Sequence, residues 1–117
     1  MCSGEVVYGI GRVDASGRVS GRVISGVLGW RCGDRLTLTA DAGVVTVHRD
    51  PGGMVVLPGR GRLMIPAPLR RRCGLHAGDP VLLAAIPGQD TLAAYSFAVM
   101  DQALDSYVPV RHGEGLT

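Results

Sequence analysis

Gly59-Arg60-Gly61-Arg62-Leu63-Met64-Ile65-Pro66-Ala67-Pro68-Leu69-Arg70-Arg71-Arg72-Cys73-Gly74-Leu75-His76-Ala77-Gly78-Asp79-Pro80-Val81-Leu82-Leu83 reads as a strand, a short helix and the start of a second strand joined by turns. Gly59 and Gly61 mark a tight turn, and Leu63 to Ile65 make a short apolar strand. Pro66 and Pro68 fit only the first turn of a helix, because proline lacks the N–H that a helix interior needs. Leu69 to Cys73 complete that helix, and Gly74 suits the left-handed residue that closes it, with Leu75 folding back on Leu69. Gly78-Asp79 turns the chain again, and Val81 and Leu83 begin the next strand.

The same order of signals occurs earlier. Gly17-Arg18-Val19 matches Gly61-Arg62-Leu63, Gly29-Trp30 matches Gly74-Leu75, Gly33-Asp34 matches Gly78-Asp79, and Leu36 and Leu38 match Val81 and Leu83. The Gly17 to Gly29 interval is one residue shorter than Gly61 to Gly74, and the gap falls inside the small helix. An internal duplication with a period of roughly 45 residues is therefore expected. The first repeat spans residues 6–49, a linker 50–53, and the second repeat 54–95.

The strand, Gly-Arg turn, Ile-Pro strand end, Leu-Arg-Arg helix, Gly-Leu, Gly-Asp and hairpin resemble the AbrB/MazE/SpoVT family of swapped-hairpin DNA-binding domains. The likeness is close in the second repeat, degenerate in the first, and covers about residues 6–95. A chain with two such units also resembles actinobacterial tandem members of that family and, more loosely, the MraZ proteins. The resemblance implies a mainly β, swapped-hairpin (AbrB-like) barrel from two tandem repeats, with a short helix in each. It also implies a transcriptional regulator that binds double-stranded DNA, and a homodimer. Exchange of hairpins within one chain or between two chains is open at this stage.

Composition agrees with many short strands. Eighteen glycines and seven prolines in 117 residues demand frequent turns, and the apolar content is Val, Leu and Ala with five aromatic residues, Tyr8, Trp30, Tyr95, Phe97 and Tyr107. All twelve basic residues are arginine, which suits phosphate and guanine recognition and equally follows from GC-rich coding. Residues 12–72 carry eleven arginines against four aspartates, a balance of +7; residues 73–117 carry one against five acids, −4; Glu5 returns the total to +2. A basic body with an acidic end is the charge plan of a nucleic-acid binder. Three cysteines, Cys2, Cys32 and Cys73, are odd in number and widely spaced, against a disulfide framework or a zinc site. The absence of a leader-like start or a long apolar run leads to the expectation of a cytoplasmic protein, nucleoid-associated when bound to DNA, with no membrane partner.

In order, Val6 to Val13 is a first strand, Asp14 to Gly17 a turn, and Val23, Ile24, Val27 and Leu28 fall at helical spacing. Arg35 to Ala40 alternates Leu36 and Leu38 inward with Thr37 and Thr39 outward, and turns at Asp41-Ala42-Gly43 into Val45 and Val47. The second hairpin turns at Pro87 to Asp90. Ser96 then caps an amphipathic helix over 96–108 carrying Phe97, Met100, Leu104 and Tyr107, and 109–117 is a flexible tail.

The candidate DNA-binding set is Arg12, Arg18, Arg22, Arg60, Arg62, Arg70 and Arg71. Arginines fanned from paired turns reach phosphates and base edges, whereas the plain alternative is solvated surface charge. In the resemblance, the turn arginine maps to Arg18 and Arg62; the basic residue before the turn maps to Arg12 and, in the second unit, to Val56. The helix pair maps to Arg70 and Arg71, with Arg22 the one substitute in the first unit. Cations at a helix C-terminus are also favoured by its dipole, and one of Arg70 to Arg72 must pack near Leu69 and Cys73. Asp34 and Asp79 serve turn geometry, and Cys32 and Cys73 are expected to pack. His48 and His76 have no motif placing them beside a thiol, so no enzyme, cofactor or metal is implied. Phe97, Met100, Leu104 and Tyr107 form a dimer or partner helix. An antitoxin-like protein-interaction module, acting through that helix, is the competing function.

Overall fold

The computed structural model describes residues 5–58 and 62–98. Its elements are β1 (Val7–Val13), β2 (Arg18–Ser20), a π-helical turn (Val23–Val27), β3 (Arg35–Asp41), β4 (Val44–Arg49), β5 (Val55–Val56), β6 (Arg62–Met64), α1 (Ala67–Cys73), β7 (Pro80–Ile86), a 3-10 turn (Pro87–Gln89) and β8 (Thr91–Ser96). Eight antiparallel strands form one sheet in the order β5-β3-β4-β8-β7-β1-β2-β6, curled into a nearly closed barrel. The edge strands β5 and β6 are separated only by residues 57–61 in the chain.

The pairing crosses between the two halves of the chain. β1 pairs with β7, and β5 pairs with β3, so the first strand of each half lies on the third strand of the other. Arg12 faces Pro80 and Val56 faces Arg35. Shifting the first strands by 44 positions and the third strands by 45 turns one ladder into the other, Arg12 to Val56 and Arg35 to Pro80. The flanking hydrogen bonds obey the same shift. Gly78 N–H donates to the Val13 carbonyl (2.7 Å) and Val13 N–H to Asp79 (3.0 Å), just as Gly33 donates to Leu57 (2.9 Å) and Leu57 to Asp34 (2.8 Å). At the centre, Val19 on β2 faces Leu63 on β6, and Thr46 on β4 faces Ala93 on β8. These two pairs mark a pseudo-twofold axis through the barrel.

The core fills that barrel. Val13, Val19, Leu36, Val45, Val47, Leu63, Val81, Leu83 and Leu92 are fully buried, one side chain from every second position of their strands, as the period-two geometry of strands requires. Ile24, Trp30, Ile65 and Leu75 close the barrel from the helical connections.

Those connections end alike. Gly29 (φ 70°) and Gly74 (φ 69°) are both left-handed, as are Gly33 (φ 96°) and Gly78 (φ 89°) in the Gly-Asp turns. At α1 the N–H of Leu75 reaches the Arg70 carbonyl (2.9 Å) and that of Gly74 reaches Arg71 (3.4 Å), the two bonds of a Schellman cap. The first connection differs from expectation: it is a five-residue π turn in which Leu28 N–H bonds the Val23 carbonyl at 3.1 Å. The connection is one residue shorter than its counterpart, and Gly21 and Gly26 weaken an α-helix there.

The short linker at 50–53 is held to β3: Asp50 N–H bonds the Arg35 carbonyl (2.8 Å), its carboxylate accepts from Gly52 N–H (2.9 Å) and Thr37 (2.8 Å), and Gly53 lies buried against the Leu36 backbone. Ser96 is the last residue of β8, where it faces Val81, and Phe97 and Ala98 directly after it are helical. Beyond Phe97 and Ala98 the expected helix over 96–108, with Met100, Leu104 and Tyr107, lies outside the described residues, as do the 109–117 tail and Arg60. Among the described residues no helix is long and apolar enough to cross a membrane.

Candidate nucleic-acid interface

Strand alternation sets which arginines share a surface. In β1 and β2, Val13 and Val19 point into the core, so Arg12, Arg18 and Ser20 point outward. In β6, buried Leu63 sends Arg62 and Met64 outward. Paired residues share a face in an antiparallel ladder. Arg12–Ser20–Arg62 therefore form one row across three strands, and Arg18–Met64 form the next. Arg12, Arg18 and Arg62 thus stand on a single outer face astride the Val19–Leu63 pair.

The turn beneath them is held by a carboxylate. Asp14 accepts from the N–H groups of Ser16 (2.8 Å) and Arg18 (2.9 Å). The Arg18 N–H bond, then that of Ser16 and the charges of Arg18 and Arg62, hold its pKa below the ordinary value despite some desolvation. Arg62 of the second half is therefore felt at the turn of the first. Arg12 donates to the Gly78 carbonyl at 2.6 Å, which leaves the rest of its exposed guanidinium available.

Arg22 is exposed at the entry to the π turn. It shares with Tyr8, Ile10, Arg12, Ser20 and Val23 an open groove of about 760 Å³ beside β1. Tyr8 and Ile10 are 66% and 60% exposed, an aromatic and an aliphatic side chain beside two cations. Nothing in the sequence alone singled out this pair; the signal was Tyr8, Ile10 and Arg12 at alternate positions of one strand.

The three helix arginines separate. Arg70 turns inward: its Nε donates to the Ile65 carbonyl at 2.8 Å, and its guanidinium lies against Gly17, where a Cβ would fall 2.5 Å from Cζ. It ties α1 to the β1–β2 turn and is the member of the trio that packs. Arg71 and Arg72 are exposed.

A separate polar cluster joins the first connection to the second hairpin. Asp90, left-handed at φ 52°, accepts from Trp30 Nε1 (2.8 Å) and Arg49 Nε (2.7 Å), and Arg49 also lies 3.6 Å from Asp34. Thr91 donates its hydroxyl proton to Gln89, so His48 Nδ1 is the donor in its 3.0 Å bond to Thr91. His76 is engaged with Asp79, whose carboxylate also accepts from the His76 backbone (3.0 Å), as Asp34 accepts from Arg31 (2.9 Å).

The two cysteines part company. Cys73 is buried, and burial raises its thiol pKa. Cys32 is exposed, contrary to the expectation that both pack. Cys32 stands just before the Gly33-Asp34 turn, at the place of exposed Ala77 in the second half, whereas Cys73 is the last residue of α1. Among the described residues no group of three or more His, Cys, Asp or Glu side chains is arranged to hold a metal ion.

Comparison with protein-family models and with curated proteins returned no match to this sequence.

Proposed function

We propose that this chain is a DNA-binding transcriptional regulator built on the swapped-hairpin plan of the AbrB/MazE/SpoVT type, with the exchange made between its own two halves. The observation that carries the reading is the single outer face holding Arg12, Arg18 and Arg62. The crossed pairing of β1 with β7 and of β5 with β3 supports the fold-level part.

The mechanism is electrostatic first. Arg18 and Arg62, central on the face, neutralise phosphates and release counterions, and Arg12 and Arg22 extend the contact along β1. A guanidinium that reaches a guanine edge adds sequence preference through two parallel hydrogen bonds. Arg71 reaches toward the same backbone from α1, and Arg60 belongs with Arg62 on sequence grounds. Arg70, bonded to Ile65, acts as a strut that positions the turn. No cofactor is needed for this activity.

A second reading has its own observation. Tyr8 and Ile10 are widely exposed, and Phe97 is 44% exposed where the C-terminal segment begins. An antitoxin-like protein partner, docking on that segment, would cover them.

Fluorescence anisotropy with the chain's own upstream duplex and a scrambled duplex, titrated across salt, tests the first reading. Preference for the native duplex, a steep salt slope, and a slope reduced by about two in Arg18→Ala/Arg62→Ala support it. Equal, weak binding to both duplexes, unchanged in the variant, removes it and leaves the protein-partner reading. Sedimentation of the free chain tests the homodimer.

A further inference from the structure

The pseudo-twofold axis through Val19–Leu63 gives every outer residue of β1 and β2 a counterpart 44 positions on. Were the arginine face built for a palindrome, those counterparts would match. They do not. Arg18 answers to Arg62, but Arg12 answers to Val56, Ser20 to Met64, and Arg22 to Pro66. Of these four outward pairs only one keeps an arginine on both sides. Arg60, outside the described residues, answers to Ser16, so it adds an arginine to the second half at a position where the first has none.

The inequality is chemical as well as electrostatic. Val56 is 48% exposed, and Met54, the counterpart of Ile10, is 92% exposed. Met64 is half-buried opposite Arg18. Around β5 and β6 the exposed Met54 and Val56 stand with Arg62 and with Arg35, which faces Val56, whereas β1 and β2 carry Arg12, Ser20 and Arg22 with Pro80 opposite Arg12. Nor can the helical connections compensate evenly. Arg70 of α1 lies against Gly17 of the first half's turn, and the π turn has no arginine among Val23–Val27.

We infer that this protein reads an asymmetric duplex: one half-site gripped through phosphates by Arg12, Arg18 and Arg22, the other met through Arg62 and Arg35 with the apolar side chains of Val56 and Met64 between them. The inference rests on the DNA-binding reading and specifies its substrate. Apolar side chains at a groove favour thymine methyl groups over the polar edges of guanine and cytosine, so the second half-site is biased toward A·T pairs. The guanine-directed preference falls in the first.

Selection of binders from a random duplex library by the full chain, followed by hydroxyl-radical footprinting of the best site, decides it. The expected site is non-palindromic, with backbone protection extending further on one side of its centre. Arg12→Ala lowers the salt slope by about one and relaxes preference on that side, while Val56→Ala leaves the slope unchanged. Val56→Arg/Met64→Ser, which gives the second half the outward residues of the first, shifts selection toward an inverted repeat. A palindromic site with equal protection, and equal losses from Arg12→Ala and Val56→Ala, overturns the inference while leaving DNA binding intact. No binding to any duplex overturns both. Circular dichroism of each variant guards against reading an unfolded chain as a lost contact.

Discussion

The two helical connections perform one task with different means. Each carries the chain from the second strand of its half, β2 or β6, to the third, and each closes on a left-handed glycine. In the second half, α1 starts on Pro66 and Pro68, ends in a full cap, and is pinned by Arg70 on Ile65. In the first half, the π turn, which like α1 has no side-chain cap, carries no basic residue in its last turn. What it lacks in local structure is supplied from a distance, by Trp30, 2% exposed and bonded through Nε1 to Asp90 of the second hairpin. A duplicated unit can lose a residue in its helix provided another part of the chain takes over the anchoring.

The sharpest test of the pseudo-twofold comparison lies on its axis. Leu63→Ala empties a fully buried site at the meeting of β2 and β6, and should cost about 2–5 kcal/mol in chemical denaturation. A loss below about 1 kcal/mol would mean that β2 and β6 do not share one core. Trp30→Leu gives the first half the residue the second half uses. It removes the indole bond to Asp90 and leaves a void, so a loss of about 2 kcal/mol is expected, against under about 1.5 for Leu75→Met at the matched position. Equal losses would show that the first connection needs no remote anchor.

Arg70→Ala and Arg71→Ala separate neighbours on one helix. Losing the partly buried bond to Ile65 should cost about 1 kcal/mol, discounted for exposure, whereas Arg71→Ala should fall within about 0.5 kcal/mol. In DNA binding the order should reverse, with the larger fall in salt slope from Arg71. The smallest effect concerns the turns. Asp14 has a lowered pKa from its bonds to Arg18 and Ser16, while its counterpart 44 positions on is Pro58. Because the folded value is depressed, the stabilisation is full above the unfolded carboxyl range near pH 4. It is lost as pH falls through the folded value. The gap in melting temperature between the protein and Asp14→Asn should therefore narrow from pH 6 to pH 2; a constant gap would deny the carboxylate its role.

Much of the local geometry was legible because it depends on few residues. Glycine before Trp30 or Leu75, and glycine before Asp34 or Asp79, announce positive φ wherever they fall, and all four glycines adopt it. Alternation in Arg35–Asp41 and the Pro87-to-Asp90 turn follow from equally short patterns. The crossed partners of β1 and β5 were not legible, since either pairing offers the same alternate apolar face to a neighbour. Arg70 could not be told from Arg71 and Arg72 by type or spacing. Its inward turn depends on Gly17, far away in the chain, leaving room for a guanidinium. The Trp30–Asp90–Arg49 cluster likewise depends on the second hairpin meeting the first connection.

The turn at Asp50–Gly53 carries one more consequence. Two separate chains that exchanged first strands would hold together only above their dissociation constant, and would fall apart on dilution. Four residues of covalent tether, pressed against β3, give the partner half an effective concentration on the order of millimolar or more at any abundance of the protein. Folding becomes a first-order event, indifferent to how many copies a cell contains. Because every second half is bound to its own first half, a mutation in one is never tested against its own duplicate, and the two are free to diverge in sequence without any mismatch of mixed pairs.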